Sequence, residues 1–77
     1  MPRNFADEAR ALSNQLEAIG ALDFATALRD AIDFSSTGSE LLFGLRFHLH
    51  RFTATPHTQL HETAAALAAD IDAAIGR

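Results

Sequence analysis

Apolar residues return every three or four positions along most of this chain, and a stripe of that period is what an α-helix buries against a neighbour. Phe5, Ala9, Leu12, Leu16 and Ile19 form the first stripe, with Asp7, Arg10, Asn14, Gln15 and Glu17 turned away from it. Phe24, Leu28, Ala31 and Ile32 form a second, opposite Thr26, Arg29, Asp30 and Asp33. Leu60, Ala64, Leu67, Ile71, Ala74 and Ile75 form a last one, backed by Ala65, Ala66, Ala69 and Ala73. Those four alanines are expected on the solvent side, because alanine is the best exposed helix former. The pattern predicts a single all-α domain over 1–77 with helices at about 4–19, 23–34, 39–53 and 56–75.

The punctuation supports these limits. Asn4 is expected to cap the first helix, and Asp7 and Glu8 suit the positive end of its dipole. Gly20 is placed as the left-handed residue that ends it. Beyond Gly20 the stripe loses phase, since its continuation would bury Asp23 and Thr26. A second helix is expected there, with Asp23 as cap and Leu22 stapled against Ala27. A single kinked helix through Gly20 would give three helices instead of four, at a cost of about 1 kcal/mol for one interior glycine. Ser35-Ser36-Thr37-Gly38-Ser39 reads as a loop, with Ser39 capping the third helix. Thr55-Pro56 is expected to open the last helix, threonine as cap and proline in the first turn.

Residues 41–52 carry two patterns at once. On a helix, Leu41, Leu42, Leu45, Leu49 and Phe52 share one arc, while Phe43 and Phe47 fall on nearly the opposite side beside Gly44 and Arg51. Phe43, Leu45, Phe47 and Leu49 also alternate with Gly44, Arg46, His48 and His50, as a strand would. No other segment offers a strand to pair with, and a lone strand leaves its backbone groups unmatched. The helix is therefore expected.

A 77-residue chain without cysteine has no disulfides or thiolate zinc sites to stabilise it. Its core must come from helix packing, a partner, or both. Apolar residues at 48% are too many for a disordered chain. A net charge of −4, with Arg46 and Arg51 on different helical faces so that no basic stripe forms, argues against nucleic-acid binding, and the use of arginine for all six basic residues reads as coding bias. The longest apolar run, Ala64–Ala69, falls far short of the roughly 20 residues that span a bilayer. No secretory segment follows Met1, so no membrane association and a cytoplasmic setting are expected.

Candidate chemistry is sparse. His57 and His61 are one helical turn apart, a spacing that places two imidazoles on one metal ion, with His48 or His50 as a third ligand from the preceding segment. His61-Glu62 begins like a zinc-protease motif, but Ala65 stands where its second histidine belongs. The loop at 35–39 lacks the glycines and lysine of a phosphate loop, and no nucleophile-elbow sequence surrounds a serine. Asp70 and Asp72, two positions apart, diverge on a helix. No catalytic residues and no cofactor are expected.

The two-sided segment points to function. One apolar arc anchors a helix in a bundle, and Phe43 and Phe47 add a second that single-striped neighbours leave uncovered. Burying two phenylalanines is worth about 3–6 kcal/mol, comparable with half of the roughly 4–12 kcal/mol expected for a chain this long. The expected architecture is a small antiparallel helical bundle completed by dimerisation, with Phe43, Phe47 and Arg51 at the interface. Such a chain is expected to be a non-enzymatic interaction module, binding itself or another protein, of the kind that regulates or neutralises another bacterial protein. The alternative is a metal or small-ligand binder built on His57 and His61.

Overall fold

A computed structural model of the chain describes residues 4–56 and 59–75. Its helices are α1 (Phe5–Ala18), α2 (Leu22–Phe34), α3 (Gly38–Thr53) and α4 (His61–Ile75), and the described residues contain no strand. The fold class is all-α, and residues 41–52 are helical throughout. The alternating reading of that segment fails because each strand hydrogen bond would need a partner strand, whereas the helix satisfies its own backbone.

Successive helices run antiparallel. Arg10 meets Asp33 and Ser13 meets Arg29 between α1 and α2. Phe24 meets Phe52, and Ala31 lies against Gly44, between α2 and α3. Arg46 meets Asp72 and Phe52 meets His61 between α3 and α4. α1 also touches α4 and, across the centre, α3, whereas no such contact joins α2 and α4 among the described residues. α3 therefore lies between α2 and α4 with α1 behind it. A Cβ on Gly44 would sit 3.4 Å from that of Ala31, so this small pair lets α2 and α3 approach closely.

The core is Ala9, Leu12 and Leu16 of α1, Ala21, Ala25 and Leu28, Leu45, Leu49 and Phe52 of α3, and Ala64, Leu67, Ala68 and Ile71 of α4. Phe5, Ile19, Phe24, Ala31, Ile32, Leu41, Leu42, Leu60 and Ile75 pack partly buried around it. Ala65, Ala66, Ala69 and Ala73 face solvent.

The α1–α2 junction is a true break. Gly20 has φ +87, Ala21 N–H reaches Leu16 C=O at 2.8 Å and Gly20 N–H reaches Glu17 C=O at 3.0 Å. This left-handed glycine closure ends α1 and excludes one continuous helix. At the other end Asn4 Oδ1 accepts from Asp7 N–H at 3.1 Å, the cap expected from the sequence.

Three helix starts differ from expectation. Asp23 lies inside the first turn of α2, where its charge suits the dipole; the cap position is Ala21, which has no side-chain acceptor. Leu22 is helical and 54% exposed, so it does not staple against Ala27. For α3 the cap is Thr37 rather than Ser39: Thr37 Oγ1 accepts from Glu40 N–H at 3.1 Å, and Glu40 Oε1 accepts from Ser36 N–H at 2.7 Å. Thr37 wins because its acceptor falls three residues before Glu40, which returns a carboxylate to the entering backbone.

The third correction concerns Thr55-Pro56, which does not start α4. Thr55 Oγ1 donates to Phe52 C=O at 2.7 Å and Thr53 Oγ1 to His50 C=O at 3.0 Å, so both hydroxyls serve the end of α3. A threonine hydroxyl donates as readily as it accepts, and the terminal carbonyls of α3, which lack the N–H partners of a continuing helix, were the nearer demand. α4 begins only at His61, after Leu60, whose φ of +67 is left-handed. That conformation costs a non-glycine residue about 1–2 kcal/mol, offset here by the packing of the Leu60 side chain against the core.

Candidate interaction face

The closed bundle leaves one side of α3 uncovered. Leu45, Leu49 and Phe52 point inward and are at most 1% exposed, while Phe43 is 51% and Phe47 59% exposed. With His50 and Ala54 they form a ridge at spacings of four, three and four along three turns. Phe43, Arg46, Phe47, His50, Arg51 and Ala54 line a shallow concavity of about 600 Å³. The structure thus places the three residues expected at an interface, Phe43, Phe47 and Arg51, on one surface. Leu22 and Phe34 are also exposed, Phe34 to 79% at the end of α2, which the sequence reading did not anticipate.

Charge on this face is arranged on both flanks. On the α4 side, Arg46 Nε lies 2.6 Å from Asp72 Oδ1, and His50 Nε2 lies 3.1 Å from Asp72 Oδ2. Partial burial between α3 and α4 pushes the Asp72 carboxyl up, but hydrogen bonds from His50 and Arg46 and their positive charge outweigh this and hold it below its ordinary 3.8. On the α2 side, the Arg51 guanidinium lies 5.0 Å from the ring centre of Phe24 and 5.6 Å from that of Phe47. It is held by aromatic faces alone and pairs with no carboxylate among the described residues. Arg46, His50 and Ala54 were missed in the sequence as members of this face, although their helical spacing from Phe43 and Phe47 places them there.

The three described histidines have different neighbours. His50 faces Asp72, His48 lies edge-on to Phe47 at 5.2 Å, and His61 lies edge-on to Phe52 at 5.3 Å. His57, the proposed metal partner of His61, is outside the described residues. Among the described residues no group of three or more histidine and carboxylate side chains is placed to hold a metal ion. His48 Nδ1 and His61 Nε2 are buried without a hydrogen-bond partner among the described residues. Asp70 and Asp72 diverge as expected: Asp72 turns to α3, and Asp70 lines a groove of about 520 Å³ between α1 and α4 with Glu8 and Glu62.

Comparison with protein-family models, with curated proteins and with solved structures finds no match for this chain. The functional reading therefore rests on the face itself. No described helix is long and apolar enough to cross a membrane.

Burial lowers the His48 pKa from its ordinary 6.5, and Arg51 lowers it further against a smaller upward pull from Asp30 of α2. The unfolded chain therefore binds the proton more readily than the folded one, so this contribution destabilises the fold as pH falls below 6.5 and is absent above it. Denaturant unfolding measured from about pH 7.5 to 5 should show stability declining through that window. His48→Leu should flatten the decline; an equally steep one in the variant would remove His48 as its source. Asp72 acts lower, its contribution being lost only as pH falls below 3.8.

Proposed function

We propose that this chain is a non-enzymatic helical interaction module that pairs with a second copy of itself through the outward face of α3. The observation carrying this reading is the exposure of Phe43 and Phe47, 51% and 59%, on a helix whose opposite side already seals the core. Two adjacent exposed phenylalanines rimmed by Arg46, His50 and Arg51 have the composition of an interface centre, where aromatic residues and arginine are enriched. The concavity is open and its polar groups already serve Asp72 or aromatic rings, which suits recognition better than catalysis.

Sedimentation equilibrium tests this over a range of about 1 µM to 1 mM, where association energies of roughly 4–8 kcal/mol are read. The wild type is expected to dimerise within it. Phe47→Asp is expected to weaken dimerisation by at least about tenfold, 1.4 kcal/mol, with circular dichroism and the monomer's Tm, read at concentrations below dimerisation, little changed because the side chain is outside the core. A wild type monomeric throughout, or an unchanged constant in Phe47→Asp, would refute the proposal.

A further inference from the structure

Along the outward side of α3 the side chains change character in a fixed order: Glu40, then Phe43 and Phe47, then Arg51. All four are exposed. At about 100° per residue, Glu40 and Arg51 lie within about 20° of one another around the helix, roughly 16 Å apart along it. Both flank the phenylalanines on the side of α2, the side on which Arg51 covers Phe24. Arg51 has only rings for partners among the described residues, and Glu40 spends one carboxylate oxygen on Ser36 N–H.

We infer that this face is self-complementary about a two-fold axis that sets two α3 helices antiparallel, Glu40 of each copy pairing with Arg51 of the partner subunit across four phenylalanine rings. The inference rests on the reading that a second copy covers the face. A dyad crossing α3 between Leu45 and Arg46 sets Glu40 level with the partner's Arg51 and brings Phe43 within about one residue's rise, 1.5 Å, of the level of the partner's Phe47. A two-fold axis that lies in the interface perpendicular to α3 does not exchange the two edges of the contact, so both charged residues stay on the same edge and meet. A parallel pairing, whose two-fold runs along α3, exchanges the two edges and leaves each Glu40 at the far edge from the partner's Arg51 and about 16 Å from its level, so only the antiparallel pairing forms these ion pairs. One helix stripe buries less than the roughly 800 Å² per partner of a standard interface, so the dimer is weak and two ion pairs weigh visibly in its constant.

Sedimentation equilibrium of charge-reversed variants reads this directly. E40R and R51E are each expected to dimerise at least tenfold more weakly than the wild type. A one-to-one mixture of the two is expected to associate at near wild-type strength, because one copy then offers two cations and the other two carboxylates. The double variant E40R/R51E is expected to recover for the same reason. E40Q keeps an acceptor for Ser36 N–H, so a loss of association in E40Q separates the charge effect from damage to the helix cap. If E40R and R51E dimerise as the wild type does while Phe47→Asp does not, the antiparallel dyad is wrong and the face remains an interface. Failure of the mixture to associate also overturns the dyad, as do assemblies larger than dimers, the mark of a head-to-tail contact with the acidic groove of Glu8, Glu62 and Asp70. A wild type that never dimerises overturns both readings.

Discussion

Phe52→Ala is expected to destabilise the bundle by about 3–5 kcal/mol, the usual cost of truncating a buried aromatic. The ring is 1% exposed and is the largest fully buried side chain. It lies edge-on to Phe24 at 5.2 Å and to His61 at 5.3 Å, so one side chain joins α2, α3 and the first residue of α4. The cavity left by the ring adds its own cost to the lost transfer free energy. Against a total of roughly 4–12 kcal/mol, the loss approaches the whole stability. At about 4–8 °C per kcal/mol for a domain of this size, thermal unfolding by circular dichroism should drop by tens of degrees, or the variant should be unfolded at room temperature. Phe43→Ala, on the outward side of the same helix, should shift the monomer's Tm little. Equal losses in the two variants would show that inward and outward faces of α3 have been assigned wrongly.

Arg29→Met is expected to cost about 2 kcal/mol, in the range for hydrogen bonds to charged groups. Ser13 is fully buried between α1 and α2, donating to Arg10 C=O at 2.6 Å and accepting from Arg29 Nε at 3.1 Å. The same guanidinium reaches Asn14 Oδ1 at 2.8 Å and Glu17 Oε1 at 2.7 Å. The Glu17 pair is half exposed and contributes little; the effect comes from the buried hydroxyl, which keeps no donor when Arg29 is gone. Ser13→Ala removes that hydroxyl, so in the double variant the two costs should fall short of their sum by about 1 kcal/mol. Strict additivity in denaturant unfolding would show that Arg29 acts independently of Ser13.

The sequence reading did best where a single periodicity governed. The stripes Ala9-Leu12-Leu16 and Ala64-Leu67-Ile71 are buried as their spacing required, and Phe43 and Phe47 lie opposite Leu45 and Leu49 because the angle per residue is a property of the helix alone. It did worst where one polar group had several local uses. Ser39 and Thr37 are both good caps by type, and only the return contact from Glu40 distinguishes them. Thr55 before a proline has the form of a helix start, yet its hydroxyl closes the helix before it. Arg29 was placed on a polar face, correctly, but its reach to Ser13 depends on how closely α1 and α2 approach.

Local order in the chain, then, was enough to determine that it forms helices, roughly how many, and which residues of α3 look in opposite directions, since backbone geometry and apolar spacing dictate these. Which of those directions the other helices cover, that Arg51 rests on Phe24 and Phe47 rather than on a carboxylate, and that Arg46 and His50 share Asp72 were decided by tertiary packing. Those contacts join residues far apart in the chain, and their existence depends on the angles and separations at which whole helices meet, quantities that no run of neighbouring residues encodes on its own.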